Sequence, residues 1–385
     1  MNVKRLAKLE NRIPGQSNPT GHQNGNMDKI IGLQSLNLLR EMVTVPSVSF
    51  EETAVADLIG SRLSAWGVVH ERLRNNLVAG LEKMDPNKKT LVLDAHIDTV
   101  PVCRGWTCNP FDPAGPDNNQ HIIYGLGSND DGGCVVAMIA AYRHFLSREL
   151  PFNLILALSC EEERSGENGA RWLYGPEGPL HPEMVIIGEP TGLKAATSER
   201  GLLVIDALAE GKSGHATRNE GINALYIALD DIAAIRSHKF SRISPTMGEV
   251  HKTVTIIHSG TAHNVVPDRC EFTIDLRPTE VYTCAEILDE LQSICKSRLK
   301  ARNLNNRSSA TRSGSPLFKA LDGLGIEKFS SPTTSDWMRI DSDCVKIGPG
   351  ESSRSHKSDE FIKVEEVQNG IETYINLIGE LAKHF

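Results

Sequence analysis

Long hydrophobic runs are missing from this chain of 385 residues. No uninterrupted apolar stretch reaches the roughly 18 residues that a membrane-spanning helix needs, so no membrane span is expected. The first residues also lack the continuous apolar core of a secretory signal, which points to a cytoplasmic protein. A basic excess is missing too: the formal net charge of -8 argues against nucleic acid and anionic membranes as partners. Eight cysteines are present without a close CxxC pair, and Cys103 and Cys108 read as free thiols rather than as a zinc site. A phosphate loop is absent, because the glycine-rich YGLGSNDDGG fits neither GxGxxG nor GxxxxGK[ST] and its acids would repel phosphate. Aromatic residues are few, at 5%, beside 39% hydrophobic residues, a balance that suits a soluble globular enzyme with room for two domains.

What the chain does have is a series of apolar runs that each end in a residue able to bind metal. LVLDAHIDTVP reads as a buried strand carrying His96 and Asp98 at i and i+2, a spacing that puts both side chains on one face and lets Asp98 orient the imidazole. A satisfied histidine at a strand end is the plain alternative. The segment around Ser128, Asn129, Asp130 and Asp131 precedes an apolar helix, where acids are favoured by the helix N-terminus, and a capped strand-to-helix turn would look the same. FNLILALSC reads as a buried strand ending in Glu161, Glu162 and Glu163, which repel one another unless a cation is near; a solvated acidic cluster is the alternative. MVIIG ends in Glu189, and a glycine-rich turn near the end of the chain leads to His356.

Taken together, AHIDTVP, GLGSNDDGG, the three glutamates, GEPT, GKSGHAT, HNVVPDRCEFTIDLR and GPGESSRSHKSDEF resemble the co-catalytic zinc metallopeptidase family. That family includes acetylornithine deacetylase, succinyl-diaminopimelate desuccinylase, aminoacylase and glutamate carboxypeptidase. The resemblance runs from about residue 30 onward and implies two Zn2+ ions, although such N and O ligands also accept Co2+ or Mn2+. It implies His96, Asp130 and Glu163 at one ion, Glu189 and His356 at the other, and the Asp130 carboxylate as the bridge. Glu162 would be the general base and Asp98 the partner of His96. In the family, His215 reaches a second subunit's site to stabilise the oxyanion, while Asn264 and Arg277 contact substrate. Arg277 could hold an α-carboxylate, or be a surface residue. Gly132 departs from the pattern, since many members carry Lys there; the change is expected to alter packing or charge beside the metals without abolishing the chemistry.

The implied activity is removal of the N-acyl group from an N-acyl-L-amino acid, with N-acetyl-L-ornithine of arginine biosynthesis the nearest pattern. N-acetyl- or N-succinyl-citrulline or -ornithine, succinyl-diaminopimelate and a dipeptide are the alternatives. A noncatalytic metal-binding protein is a further one, but such proteins usually lose a ligand or the base, and all are present here.

The expected fold is α/β: a three-layer catalytic domain with a mostly parallel sheet, formed by residues 27–191 and 311–385, with a ferredoxin-like α+β lid inserted at 192–310. By resemblance the lid forms a homodimer contact. Residues 1–26, rich in Asn, Gly and Pro, are expected to be a disordered extension. Helices are expected at Leu33–Val43 and, with Ser49 and Glu52 as a capping box, just beyond Pro46. In the lid, INALYIALDDIAAIRSH and AEILDELQSICKSRLK read as helices, and a final amphipathic helix starts at Val364.

Overall fold

The computed structural model describes residues 21–385 except 219, with side chains from Asp28 onward. Residues 1–20, most of the extension expected to lack structure, lie outside the described residues, and from Gly21 the backbone is already helical. Helix α1 (Gly21–Val43) buries Ile31, Ser35, Leu38, Leu39 and Met42, one face at helical spacing, and leaves Leu33 exposed.

Helix α2 (Thr53–Ala65) follows without the expected capping box. Tertiary partners take both side chains. Ser49 Oγ donates to Asp98 Oδ2 at 2.7 Å, and the fully buried Glu52 carboxylate accepts from the backbone N–H of Phe50 and Glu161 and from Asn75 Nδ2. A buried carboxylate needs such donors more than an exposed helix end needs a cap.

Six strands then build most of the large sheet: β1 (His70–Leu73), β2 (Asn76–Ala79), β3 (Thr90–His96), β4 (Asn153–Ser159), β5 (Met184–Ile187) and β6 (Ala195–Glu199). Four more form the lid sheet: β7 (Leu203–Glu210), β8 (His251–Ser259), β9 (Arg269–Arg277) and β10 (Arg298–Ala301). The chain returns to the large sheet with β11 (Ser309–Ala310), β12 (Lys328–Ser331) and β13 (Asp343–Lys346). The large sheet runs β1-β2-β4-β3-β5-β13-β6-β11, with β12 also on β6. Its centre, β4-β3-β5-β13, is parallel, and the strands outside β2 and β6 are joined antiparallel except β12.

Helices α3 (Gly133–Phe145) and α6 (Val364–Leu381) cover one face together with α1. Along β3, Leu91, Leu93 and Ala95 enter that core, whereas Val92 enters the core on the other face beside Leu173 and Trp337. By the two-residue period of a strand, Asp94 and His96 share the face of Val92. Both central faces are covered, so the strands are apolar throughout and polar residues come at their ends.

The lid is a four-stranded antiparallel sheet in the order β8-β9-β7-β10, with helices α4 (Ala224–Ser237) and α5 (Cys284–Ile294) packed on one face through Leu203, Ile205, Phe272, Ile274, Ile287 and Leu291. This is the ferredoxin-like arrangement. Strand β6, in the segment expected to open the lid, pairs with β13 and β11, so the small sheet runs only from Leu203 to Ala301. The second lid helix is also shorter than the sequence suggests. The Asp231 carboxylate accepts from the backbone N–H of Lys296 and Ser297, at 2.9 and 2.7 Å, and turns the chain into β10, which pairs with β7.

Candidate functional site

The parallel centre of the sheet ends at one edge in His96 of β3, Glu161–Glu163 after β4 and Glu189 after β5, the place where α/β sheets gather ligands. His96 is 3% exposed. Its Nδ1 donates to the Asp98 carbonyl oxygen at 3.0 Å, leaving Nε2 3.2 Å from Asp130 Oδ1. Asp98 does not reach outward: its carboxylate accepts from Ser49 Oγ and from the backbone N–H of Glu162 and Glu163, at 3.0 and 3.1 Å. It therefore ties the strand bearing His96 to the turn bearing the glutamates, a positioning role.

Asp130 is held from behind. The Glu360 carboxylate, 2% exposed, accepts from the N–H of Gly127, Asn129 and Asp130. Asn129 exchanges two bonds with the backbone of Glu351. These contacts lock the Asp130 loop to the turn that carries His356. His356 Nε2 lies 2.9 Å from Glu163 Oε2 and 3.7 Å from Asp130 Oδ2.

Two sets of donor atoms come within 4.8 Å of one another among the described residues: His96, Glu162 and Glu163, and Asp130, Glu163 and His356. Glu163 thus belongs to both sets, beside His96, as the resemblance implies, and beside His356. Glu189 belongs to neither set, though it is near enough to interact with Asp130, His96 and Glu163.

Charge crowding dominates the electrostatics. Burial pushes Glu162, Asp131 and Asp336 well above the usual carboxylate range and Glu189 up to about 8. Burial also opposes the charge of Asp98 and Asp130, but His96 outweighs it and holds both low. For His96 itself burial is outweighed by Asp130 and Asp98, which hold it well above its ordinary value. His356 is drawn up to about 9, first by its bond to Glu163. Both carboxylate oxygens of buried Asp131 lack a hydrogen-bond partner. So many acids around two imidazoles suit divalent cations, and N and O donors of this kind fit zinc, cobalt or manganese.

Gly132 lies against α1. A Cβ there would stand 2.4 Å from the Gly127 carbonyl oxygen and 2.7 Å from Leu39 Cδ1, so the lysine that the resemblance leads one to expect here could enter only if its surroundings shifted.

The lid residues are arranged differently. His215 is exposed and pairs in register with Val265, next to Asn264, whose carbonyl accepts from Ala216 N–H; its ring Nδ1 is 3.0 Å from Thr217 Oγ1. Arg277 spends its guanidinium on Asp275 two residues earlier, at 2.9 and 3.2 Å. The bonds of all three are local to the lid.

Three contributors went unread in the sequence. Glu360 acts on backbone amides about 230 positions away, and its one local signal is its place four residues after His356. Glu52 was read as a cap. Asp94, at the strand position before His96, accepts from Tyr174 Oη at 2.6 Å and Ser159 Oγ at 2.8 Å, and burial raises it to about 6.

A model of peptidase family M20/M25/M40 matches residues 92–380. The acetylornithine deacetylase of Edwardsiella ictaluri is 27% identical over 363 residues, covering 85% of this chain and 92% of that protein. The succinyl-diaminopimelate desuccinylase of Xylella fastidiosa is 26% identical over 381 residues, covering 91% and 99%. Among solved structures, aminopeptidase PepT of Bacillus cereus superposes with a TM-score of 0.73 at 19% identity, covering 91% of this chain and 99% of that one. The YXEP protein of Bacillus subtilis, described as a dinuclear metal binding peptidase, gives 0.71 at 15%, covering 93% and 100%.

Proposed function

Because the chain belongs to peptidase family M20/M25/M40 and is a metal-dependent hydrolase of amide bonds, we propose that it removes the N-acyl group from an N-acyl-L-amino acid, with N-acetyl-L-ornithine of arginine biosynthesis as the leading substrate. The observation that carries this is the joint presence of Asp130, Glu163 and His356 within ligand reach, with Glu162 beside them.

His96, Asp130, Glu163, Glu189 and His356 would hold two divalent ions, zinc by preference. When bound, such a pair polarises a carbonyl and lowers the pKa of water. Glu162 is the base. Its carboxylate stands beside His96 and Glu163, where it can take a proton from the attacking water and return it to the departing amine nitrogen. Asp98 keeps His96 in one tautomer through the turn it organises.

His215 of a second copy would assist at the oxyanion, and Asn264 with Arg277 would meet the substrate once Arg277 exchanges Asp275 for a carboxylate. The exposed Ile256 and Ile257 on the edge strand β8 support a homodimer formed through the lid. Low identity to both deacetylases and desuccinylases keeps N-acetyl- or N-succinyl-citrulline, N-succinyl-ornithine, succinyl-diaminopimelate and dipeptides as competitors. Zinc-loaded protein given an equimolar mixture of these compounds, with released amines followed by mass spectrometry, decides among them. Ornithine released first supports the proposal; another amine first names a different substrate, and no amine despite bound metal refutes deacylation.

A further inference from the structure

A cavity of about 330 Å³ opens beside Glu189, lined among others by Phe329, Ser331, Thr333, Lys346 and Glu351. Glu189 lines it and is near enough to Asp130, His96 and Glu163 to interact with them, so a substrate held at those residues would reach toward it. Lys346 forms part of its floor, and a lysine there would ordinarily be read as an anchor for a substrate carboxylate.

The geometry excludes that role. Lys346 is 1% exposed, and an ammonium has three donors. All three are matched within the protein, by Glu199 Oε2 at 3.1 Å and by the carbonyl and hydroxyl oxygens of Thr333 at 3.3 and 3.4 Å. Glu199 is fully buried, and its Oε2 also accepts from Ser335 Oγ at 2.7 Å. Ser335 in turn caps the short helical turn Asp336–Arg339 through Trp337 N–H. Asp336, first residue of that turn, faces the cluster: Ser159 Oγ is 3.4 Å from it, and its charge is felt by Glu162. A buried ion pair is seldom justified by stability alone, since desolvation cancels much of the attraction. Here it joins β6 and β13, the two strands that carry Glu199 and Lys346, to the turn that walls the cavity.

We propose that Lys346 is a positioning residue: with Glu199 it forms a buried strut that fixes the Ser331–Asp336 turn and so sets the shape of the substrate cavity beside Glu189. The proposal rests on the deacylase function for its kinetic consequence but not for its structural one. Removing the strut lets the turn drift, which weakens substrate binding while leaving metal ligands and base in place.

Three proteins test it: full-length wild type, the double variant Lys346→Met/Glu199→Gln, which removes both charges together, and Ser335→Ala, which keeps the pair and its bonds to Thr333 but cuts its link through Glu199 to residues 335–339. Each is loaded with zinc, its metal content measured, its amide hydrogen exchange followed by mass spectrometry, and KM and kcat determined on N-acetylornithine. The expected result in both variants is faster exchange confined to residues 331–339, unchanged zinc content, and KM raised on the order of 10-fold with kcat changed far less. Unchanged exchange and KM, whatever happens to the melting temperature, would overturn the strut and leave a merely structural ion pair. Should the double variant not fold, Ser335→Ala alone decides by the same two readouts. If wild type hydrolyses no N-acyl amino acid, the proposed function fails and the exchange pattern by itself upholds or overturns the strut.

Discussion

In the larger domain His96, Asp98 and Asp130 are buried, and the acids are held by other groups: Asp98 by Ser49 and two backbone amides, Asp130 by Glu360 through its loop. In the lid, His215 stands exposed with Thr217 as neighbour, and the Arg277 guanidinium is tied to Asp275. One domain builds a fixed arrangement at the ends of parallel strands, where both sheet faces are covered and most polar groups are matched. The other displays His215 on a short two-stranded ribbon and Arg277 at the end of a one-sided sheet, where a side chain can change partners at little cost. Preorganisation therefore belongs to the larger domain and adaptability to the lid.

The contrast can be broken most directly at Glu162. Glu162→Gln is expected to lower kcat on the order of 10²-fold or more with metal content intact; near-normal turnover would remove the base from the larger domain. Next in size is Glu360→Gln, which keeps the shape but weakens acceptance from three backbone N–H groups. Metal affinity, read by titration against a chelating dye, should fall about 10- to 100-fold, the usual range for groups that orient ligands. Unaltered affinity would mean that the loop holds its own shape.

Gly132→Lys, which introduces the residue that the resemblance leads one to expect, sharpens the comparison from the packing side. The Cβ meets the Gly127 carbonyl and Leu39, so a destabilisation of about 1 to 3 kcal/mol is expected from denaturant midpoints. A neutral result would show that α1 moves freely over the site.

The metal-free protein should also have a telling pH dependence. Burial raises Glu189 and Glu360 to about 8 from an ordinary 4.5, so between those values the folded chain holds protons that the unfolded chain has released. Stability then falls as pH rises through that window. His356, raised to about 9, adds stability that is whole below its usual 6.5 and lost as pH passes 9, the same sign. Melting temperatures with a chelator present should decline from pH 5 to 9, and added zinc should flatten the decline. A rise with pH would show that crowding of acids does not govern the site. The smallest effect is expected at Arg277→Ala: its pair with Asp275 is one-third exposed, so stability should change by less than about 1 kcal/mol. A larger loss would make the lid as rigid as its neighbour.

Much of this was legible in the sequence because apolar strands that end abruptly in acids or histidine announce both the sheet and its edge. His96, Glu162, Glu163 and Glu189 are candidates on that signal, and the ferredoxin-like lid follows from the order of its elements. Ser49 and Glu52 were misread because a spacing of three before a helix satisfies a local rule, while the bonds that win join Glu52 to Glu161 and Ser49 to Asp98 across the fold. Strand β10 was taken for helix because KSRLK has no local strand signal, and only Asp231 and the free edge of β7 make it one. Glu360 left no trace in periodicity, since its partners are amides rather than side chains.

The clamp between Glu360 and the Asp130 loop has a consequence for synthesis. His96, the glutamates and Asp130 leave the ribosome early, followed by the whole lid, but the loop stays unfastened and His356 is missing until the last tenth of these 385 residues is being made. A nascent chain can thus complete most of its sheet without presenting a finished site, which waits for His356 and Glu360 to emerge.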